Sequence, residues 1–488
     1  MTTATAGLGD RAARGAGVTL ATQLLRALLQ LGSVVVLARL LVPEDFGLVA
    51  MVTAVIGIAD LVRDFGLSSA AIQSRTLSED ERTNLLWVNA GLGLTCTLLA
   101  AGSAPLLVAL YDEPRLLGIV LALSPVFLLS GLGTQLRADL TRSLRLGWLA
   151  LSDVLGQAVA VVAAVALAVA GAGLWAVVAQ QLVGAAAGLV VVALAVRWRP
   201  RLYVRGVPLR RFFRFGVGLL GTQALTYVTK NVDDVALGAV WGAGPLGLYT
   251  RAYQLLLAPL NQINAPMTRV ALPVLSRLQD DDDRYAHALG RAQLVGCYVT
   301  TTVLLVVAGL ADPVVRVLFG PGWDGVVPLL LVLALGGVPR ALSQLAYWMY
   351  LSRGRTGAQL RQFLVTRPLL VVCVLAGLPW GALGVAVGHG VGHLLAWGIS
   401  LWHAGRTTGV DVRPLVATAA RSVLAVGLPA GAAAHVATLW LDAPVAQLAL
   451  GLVLAGTWVL VSCTVVPPVR RDAVVVLSFA WRAARRVG

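Results

Sequence analysis

The sequence predicts an all-α integral membrane protein of about 14 transmembrane helices, arranged as two parallel-repeat six-helix bundles followed by two C-terminal helices. Three observations lead there. Hydrophobic residues make up 58% of the 488 and charged residues only 12%, with a mean hydropathy of +0.82, which leaves too little polar surface to coat a soluble domain. The arginines between apolar runs fall on one side of the expected membrane. The chain also matches itself at an offset of 200 residues.

A span needs about 20 mostly apolar residues, and charged, Gly or Pro breaks delimit it. Cut that way, the chain gives a first set of spans at 16–41, 46–72, 84–110, 115–134, 147–170 and 174–196. A second set follows at 214–240, 246–275, 289–318, 325–350, 361–378 and 381–402, with a last pair at 415–435 and 445–466. The opening MTTATAGLGDRAARGAG runs into the first span without a short signal-peptide core and cleavage site, so that helix is expected to stay in the membrane. The expected organisation is a cytoplasmic segment 1–15, a first bundle 16–196, a basic linker 197–213, a second bundle 214–402, two additional helices 403–466 and a basic tail 467–488.

Connections after even-numbered spans are arginine-rich, with Arg137, Arg142 and Arg145 after the fourth and six arginines from Arg197 to Arg211 after the sixth. Those after odd-numbered spans (VPED, YDEP, GAG, WGAGP, FGPGWDG, LPWG and HVATLWLDAP) contain neither Arg nor Lys. By the positive-inside rule both termini face the cytoplasm. The formal charge of +15 is therefore read as topology and headgroup contact rather than nucleic-acid binding. Trp87, Trp148, Trp175, Trp198, Trp241, Trp323, Trp380 and Trp440 sit near span ends, where amphipathic rings suit the interface. Cys96, Cys297, Cys373 and Cys463 lie far apart in apolar runs and read as packing. Short outward connections leave no room for an external catalytic domain. Without a P-loop, dinucleotide fingerprint or triad, no catalytic residues, cofactor or ATP hydrolysis are expected.

The internal repeat places Leu20, Thr22, Gln23 and Leu25 opposite Leu220, Thr222, Gln223 and Leu225, and Gly47 and Leu48 opposite Gly247 and Leu248. Six spans separate the matched helices, so the repeats share one orientation, the architecture of an alternating-access transporter. Polar stripes recur with them. Thr19, Gln23, Arg26, Gln30 and Ser33 share one face of the first span, and Gln223, Thr226, Lys230 and Asp233 share one face of the seventh. The eighth adds Arg251, Gln254, Asn261 and Thr268, and the second adds Asp60, Arg63 and Asp64. Lipid cannot face such rows, so they are expected to wall a hydrated cavity.

A charge near a span centre costs about 2.5 to 3.5 kcal/mol on insertion scales, so such residues usually line pathways or pair with one another. Asp60 with Arg63, and Lys230 with Asp233 or Asp234, have pairing distance along a helix. Lys230 fits pairing and ligand contact equally. Arg26 and Arg251 have no carboxylate at helical spacing, and a guanidinium fork suits phosphate, which favours an anionic substrate. Expected substrate contacts are Gln23, Arg26, Gln30, Gln223, Lys230, Asp233, Arg251, Gln254 and Asn261. Asp60, Asp64, Asp233 and Asp234 are candidates for coupling to protons or sodium. Pro259 and Pro266 mark either a pivot or a static bend. His389 and His393 have metal-pair spacing, but GHGVGHLL offers no carboxylate or cysteine ligand, so packing is favoured and no metal is expected.

ARLLVPEDFGLVAM at 38–51, DFGLSSAAIQ at 64–73, KNVDDVALGAVWGAGPLGLYTRAYQLLLAPLNQI at 230–263 and LPVLSRLQ at 272–279 together resemble one family. It is the polysaccharide transporter, or oligosaccharide flippase, family of the multidrug/oligosaccharidyl-lipid/polysaccharide superfamily, and the likeness is greatest to the colanic and teichuronic acid exporter branch. The resemblance covers the first twelve spans well and the last two loosely. It implies two six-helix bundles in a bacterial plasma membrane, and translocation of an undecaprenyl-pyrophosphate-linked oligosaccharide to the outer leaflet for cell-surface polysaccharide. Membrane lipids and glycan polymerase or export machinery are the implied partners. Family members carry a basic residue and Asn-x-Asp where Lys230, Asn231 and Asp233 stand; Asp234 departs from that pattern. A peptidoglycan-precursor flippase would share the mechanism. A cation-coupled drug exporter of the same superfamily would favour carboxylates and aromatics, and a passive scaffold of a glycan-synthesis complex would not need the stripes.

Overall fold

A computed structural model of the chain describes residues 22, 23, 25–64, 66–74 and 76–484. These residues contain helix and no strand, the arrangement lipid demands, because without water each helix satisfies its own backbone polar groups. Nine stretches among them are long and apolar enough to cross a membrane. Two compact units divide the chain, Met1–Gly247 and Leu248–Gly488. The segment 1–15 and Thr19 lie outside the described residues.

The first unit comprises α1 (25–40), α2 (Pro43–Ile56), α3 (Ile58–Asp64), α4 (Leu67–Gln73), α5 (Glu79–Gly102), α6 (Ala104–Tyr111), α7 (Leu116–Leu123), α8 (Pro125–Arg142), α9 (Leu146–Val169), α10 (Trp175–Ala195) and α11 (Arg210–Trp241). The second span is not one helix: it breaks at Gly57 and again at Gly66, whose φ of +66° is left-handed and favours glycine. α5 opens with a capping box, Ser78 Oγ accepting from the Glu81 amide at 3.1 Å while Glu81 accepts from the Ser78 amide at 3.0 Å. The basic linker docks on this helix. Asn84 donates to the Val204 carbonyl at 2.7 Å and accepts from the Val204 amide at 2.9 Å, and Trp87 donates to the Arg201 carbonyl at 2.8 Å.

The second unit continues with α12 (Ala243–Arg277), whose first turn belongs to the first unit, then α13 (Asp282–Gly309), α14 (Ala311–Leu318), α15 (Val326–Leu342), α16 (Gln344–Ser352), α17 (Thr356–Gly377) and α18 (Gly381–Thr408). α19 (Arg413–Arg421), α20 (Leu428–Trp440), α21 (Pro444–Val465) and α22 (Pro467–Ala484) complete it, with a π-helical segment Ser422–Gly427 between α19 and α20. α12 runs through Pro259, Pro266 and Pro273 as a single helix. The repeat is visible in where helices break. The third and ninth spans each end in a separate eight-residue helix, α6 and α14. The fourth and tenth are split likewise, into α7 with α8 and α15 with α16. Trp323, expected at an interface, is instead 1% exposed and packed on Phe319 with ring centroids 5.1 Å apart.

Small residues set the closest helix contacts. α9 buries Ser152, Gly156, Ala160, Ala164 and Ala168, every fourth position, so that α10 approaches backbone to backbone. A Cβ on Gly156 would lie 3.2 Å from the Gly184 carbonyl oxygen. The repeat-related glycines make a reciprocal contact at the start of α2 and α12. A Cβ on Gly47 would lie 1.8 Å from the Ala243 carbonyl oxygen, and one on Gly247 would lie 1.9 Å from that of Pro43. Either alanine substitution must therefore move backbone, and we expect Gly47→Ala and Gly247→Ala each to lower stability by about 1–3 kcal/mol. Gly91→Ala, which meets nothing within 4 Å, should be neutral or stabilising by about 0.5–1 kcal/mol. Thermal unfolding of the purified variants checks both.

Candidate functional site

Inside the first unit a cavity of about 590 Å³ lies between α1, α3, α4, α8, α9 and α10. The α9–α10 seam builds one wall, because burying Ser152 and Gly156 against α10 turns the adjacent Asp153 and Gln157 toward α1. The polar row of α1 meets them rung by rung. Arg26 Nη1 donates to Asp153 Oδ2 at 3.0 Å, Gln157 Nε2 donates to Gln30 Oε1 at 3.2 Å, and Gln180 of α10 donates to Ser33 Oγ at 2.6 Å.

Asp153 also accepts on its other oxygen, Oδ1, from Arg137 Nη2 at 2.7 Å, so one carboxylate holds two guanidinium groups. The third, Arg63, bonds Asp60 through Nε at 3.1 Å and Thr134 Oγ1 through Nη1 at 2.7 Å. Three arginines and one aspartate thus line the cavity, a formal excess of two positive charges that becomes one when Asp60 is counted. Ser130, Thr134, Thr141 and Gln157 add neutral hydrogen-bonding groups. Forked cations beside hydroxyls and an amide suit a phosphate group joined to a polyhydroxyl ligand. The side chains of Arg26 and Arg137 are 49% and 42% exposed, so their pairs with Asp153 are screened and exchangeable.

Not every residue read from the sequence lies here. Arg26 and Arg63 line the cavity, Gln30 and Ser33 stand on its rungs, and Gln23 is helical and exposed. The side chains of Gln223 and Asp64 lie outside the described residues. Lys230 is exposed and Asp233 is 3% exposed; among the described residues no ion pair joins Lys230 to Asp233 or Asp234. None of these three lines the cavity. In the second unit Arg251 is half-buried, while Gln254 and Asn261 are exposed on α12. The rings of His389 and His393 meet edge-on with centroids 4.5 Å apart.

Arg137, Asp153, Gln157 and Gln180 were not singled out by the stripes. Arg137 reads as a loop residue if the fourth span stops at 134, but α8 continues about two turns further and carries it to the cavity. Asp153 had a signal of its own, as the lone charge in α9. Two neighbouring arginines serve helix ends instead: Arg142 donates to the Ala71 carbonyl at 3.0 Å and Arg145 to that of Ala195 at 2.6 Å, satisfying carbonyls at the ends of α4 and α10.

A family model described as polysaccharide biosynthesis protein matches residues 36–328. The chain belongs to that family. Among its relatives, the lipopolysaccharide biosynthesis protein WzxC of Escherichia coli is 25% identical over 432 residues, covering 86% of this chain and 84% of the relative. The teichuronic acid biosynthesis protein TuaB of Bacillus subtilis is 26% identical over 299 residues, 61% of this chain and 62% of that one. In fold, the chain is similar to the lipid II flippase MurJ in an inward closed conformation, with a TM-score of 0.70 at 14% identity over 90% of this chain and 97% of that one. It is also similar to an inward-facing multidrug resistance transporter of the MATE family, with a TM-score of 0.62 at 15% identity over 79% and 95%. The all-helical membrane architecture of this polysaccharide biosynthesis protein is thus shared with transporters.

Screening makes a quantitative expectation for its cavity. In a double-mutant cycle on the purified protein, Arg26→Gln and Asp153→Asn should couple by less than about 1 kcal/mol. A coupling of about 3 kcal/mol or more would mark a dry structural pair and contradict an exchangeable site.

Proposed function

We propose that the chain is a flippase moving a polyprenyl-pyrophosphate-linked oligosaccharide from the cytoplasmic to the outer leaflet for cell-surface polysaccharide biosynthesis. The single observation that carries this reading is the arginine-lined polar cavity between apolar helices, in a family of polysaccharide biosynthesis proteins. The pyrophosphate exchanges with Asp153 for the forks of Arg26 and Arg137 and meets Arg63, while sugar hydroxyls meet Gln157, Thr134 and Ser130. Its undecaprenyl tail stays in lipid. Apolar residues such as Leu155, Val159 and Val162, exposed on α9, offer it a compatible surface.

Alternation of the two six-helix bundles moves the headgroup, with both termini cytoplasmic. Lys230, Arg251, Gln254 and Asn261 are further contacts along the path, and Pro259 and Pro266 let α12 bend. Asp60, Asp64, Asp233 and Asp234 are the carboxylates available for ion coupling; Asp233, being buried, suits that role best, since burial makes its charge depend on a partner or a proton.

Leaflet sidedness tests the proposal. In a strain lacking the gene, lipid-linked oligosaccharide should accumulate where a glycan-modifying reagent applied outside cannot reach it. The intact chain should restore access, whereas Arg26→Gln with Arg137→Gln should reduce it at least tenfold at equal protein level. Unchanged sidedness, with altered drug sensitivity instead, would overturn the reading in favour of drug export.

A further inference from the structure

The second unit holds arginines that its own carboxylates do not serve. No Asp or Glu occurs between Asp324 and Asp411, and α12 contains none either, yet Arg340 and Arg367 lie inside α15 and α17. Elsewhere in this unit arginines pair with acids: Arg284 with Asp281, Arg316 with Asp312, Arg353 with Asp282 and Arg421 with Asp472. Among the described residues no carboxylate pairs with Arg340 or Arg367.

These two side chains belong to one cluster. Arg340 Nη1 donates to the Tyr253 hydroxyl of α12 at 2.5 Å, and its guanidinium carbon lies 5.6 Å from the centroid of that ring. His389 of α18 meets Tyr253 edge-on at 5.3 Å, and His393 meets His389 edge-on at 4.5 Å. The Arg367 guanidinium carbon lies 4.9 Å from the Phe363 centroid. A Cβ on Gly392 would lie 3.2 Å from the Leu370 Cα, so α17 packs on α18 beside His393 and within one turn of Arg367. The backbone fixes this arrangement. A Cβ on Gly336 would lie 2.6 Å from the Gly390 Cα, so α15 and α18 touch one turn before Arg340 and between the two histidines. Arg340, Arg367 and His393 are each only half-buried.

We infer that the second unit carries an oxyanion site of its own, formed by Arg340, Arg367, Tyr253 and His393. Two guanidinium groups among apolar helices, with no acid on the four helices that hold them, lack what Asp153 supplies in the first unit. An anionic ligand supplies it, through charge-assisted bonds to both forks. The diphosphate of a lipid carrier and a carboxylate-bearing sugar both have oxyanion groups for this site. Their assignment to a transported substrate rests on the flippase reading; the site itself rests on the cluster.

The test is calorimetric titration of the full-length protein in nanodiscs, using inorganic pyrophosphate and, separately, glucuronate. Pyrophosphate should bind to the unmodified chain and to Arg26→Gln with Arg63→Gln, and should weaken at least tenfold in Arg340→Gln with Arg367→Gln. Arg340→Lys with Arg367→Lys keeps the charge and should retain measurable binding, which separates loss of a site from loss of folding. Glucuronate showing the same dependence while pyrophosphate does not would assign the site to an acidic sugar. Equal binding of both probes to the unmodified chain and the double Gln variant, or no binding of either probe to the unmodified and double Lys chains, would overturn the inference. A protein that binds pyrophosphate through Arg340 and Arg367 yet fails to change leaflet sidedness would remove the flippase reading and leave this site standing.

Discussion

A guanidinium group inside a membrane-spanning helix must find a carboxylate, a hydroxyl or water, because hydrocarbon offers nothing. This constraint organises the polar interior of the chain. In the first unit Asp153 stands between Arg26 and Arg137, and Asp60 and Thr134 share Arg63. The second unit has no equivalent acid for Arg340 and Arg367. The two units therefore answer the same electrostatic demand differently: one is partly compensated from within, and the other has no acid of its own at the cluster.

Placing such groups requires rigid helices at short separations, and small residues provide them. Gly156, Gly184 and Gly188 let α9 and α10 approach closely enough for Asp153 and Gln157 to face α1. Gly336 and Gly390 do the same for α15 and α18. A larger side chain at either seam would displace a whole polar row, since neighbouring rungs are only one helical turn apart. The sites thus depend on glycines that touch no ligand themselves.

The helical membrane fold, its repeat and the polar face of α1 were readable in the sequence, because each is a periodicity along one helix or a recurrence along the chain. Asp60 with Arg63 was readable for the same reason, being three residues apart. Asp153 with Arg26 was not: it joins residues 127 apart, and one sequence contains no record of which helices become neighbours. Proximity along the chain left Lys230 open between pairing and ligand contact, because spacing alone does not fix where an exposed side chain turns. Hydropathy also concealed the breaks at Ser103 and Ser124, where apolar composition continues while the helix does not. The helix α11, counted from the sequence with the second bundle, falls in the first compact unit, where Tyr227 donates to the Thr53 and Ala54 carbonyls of α2 at 3.1 and 3.0 Å.

If the polar rows are hydrated while the apolar faces of the same helices meet lipid, the two faces of α9 differ in their access to a water-soluble reagent. Cysteine accessibility along α9 tests it most directly, in a cysteine-free background labelled with a membrane-impermeant maleimide. Gln157→Cys, on the cavity wall, should label quickly, and Val162→Cys, 68% exposed on the apolar face, should resist labelling in membranes. Equal resistance at both positions would show instead that the cavity is dry and that its arginines are structural.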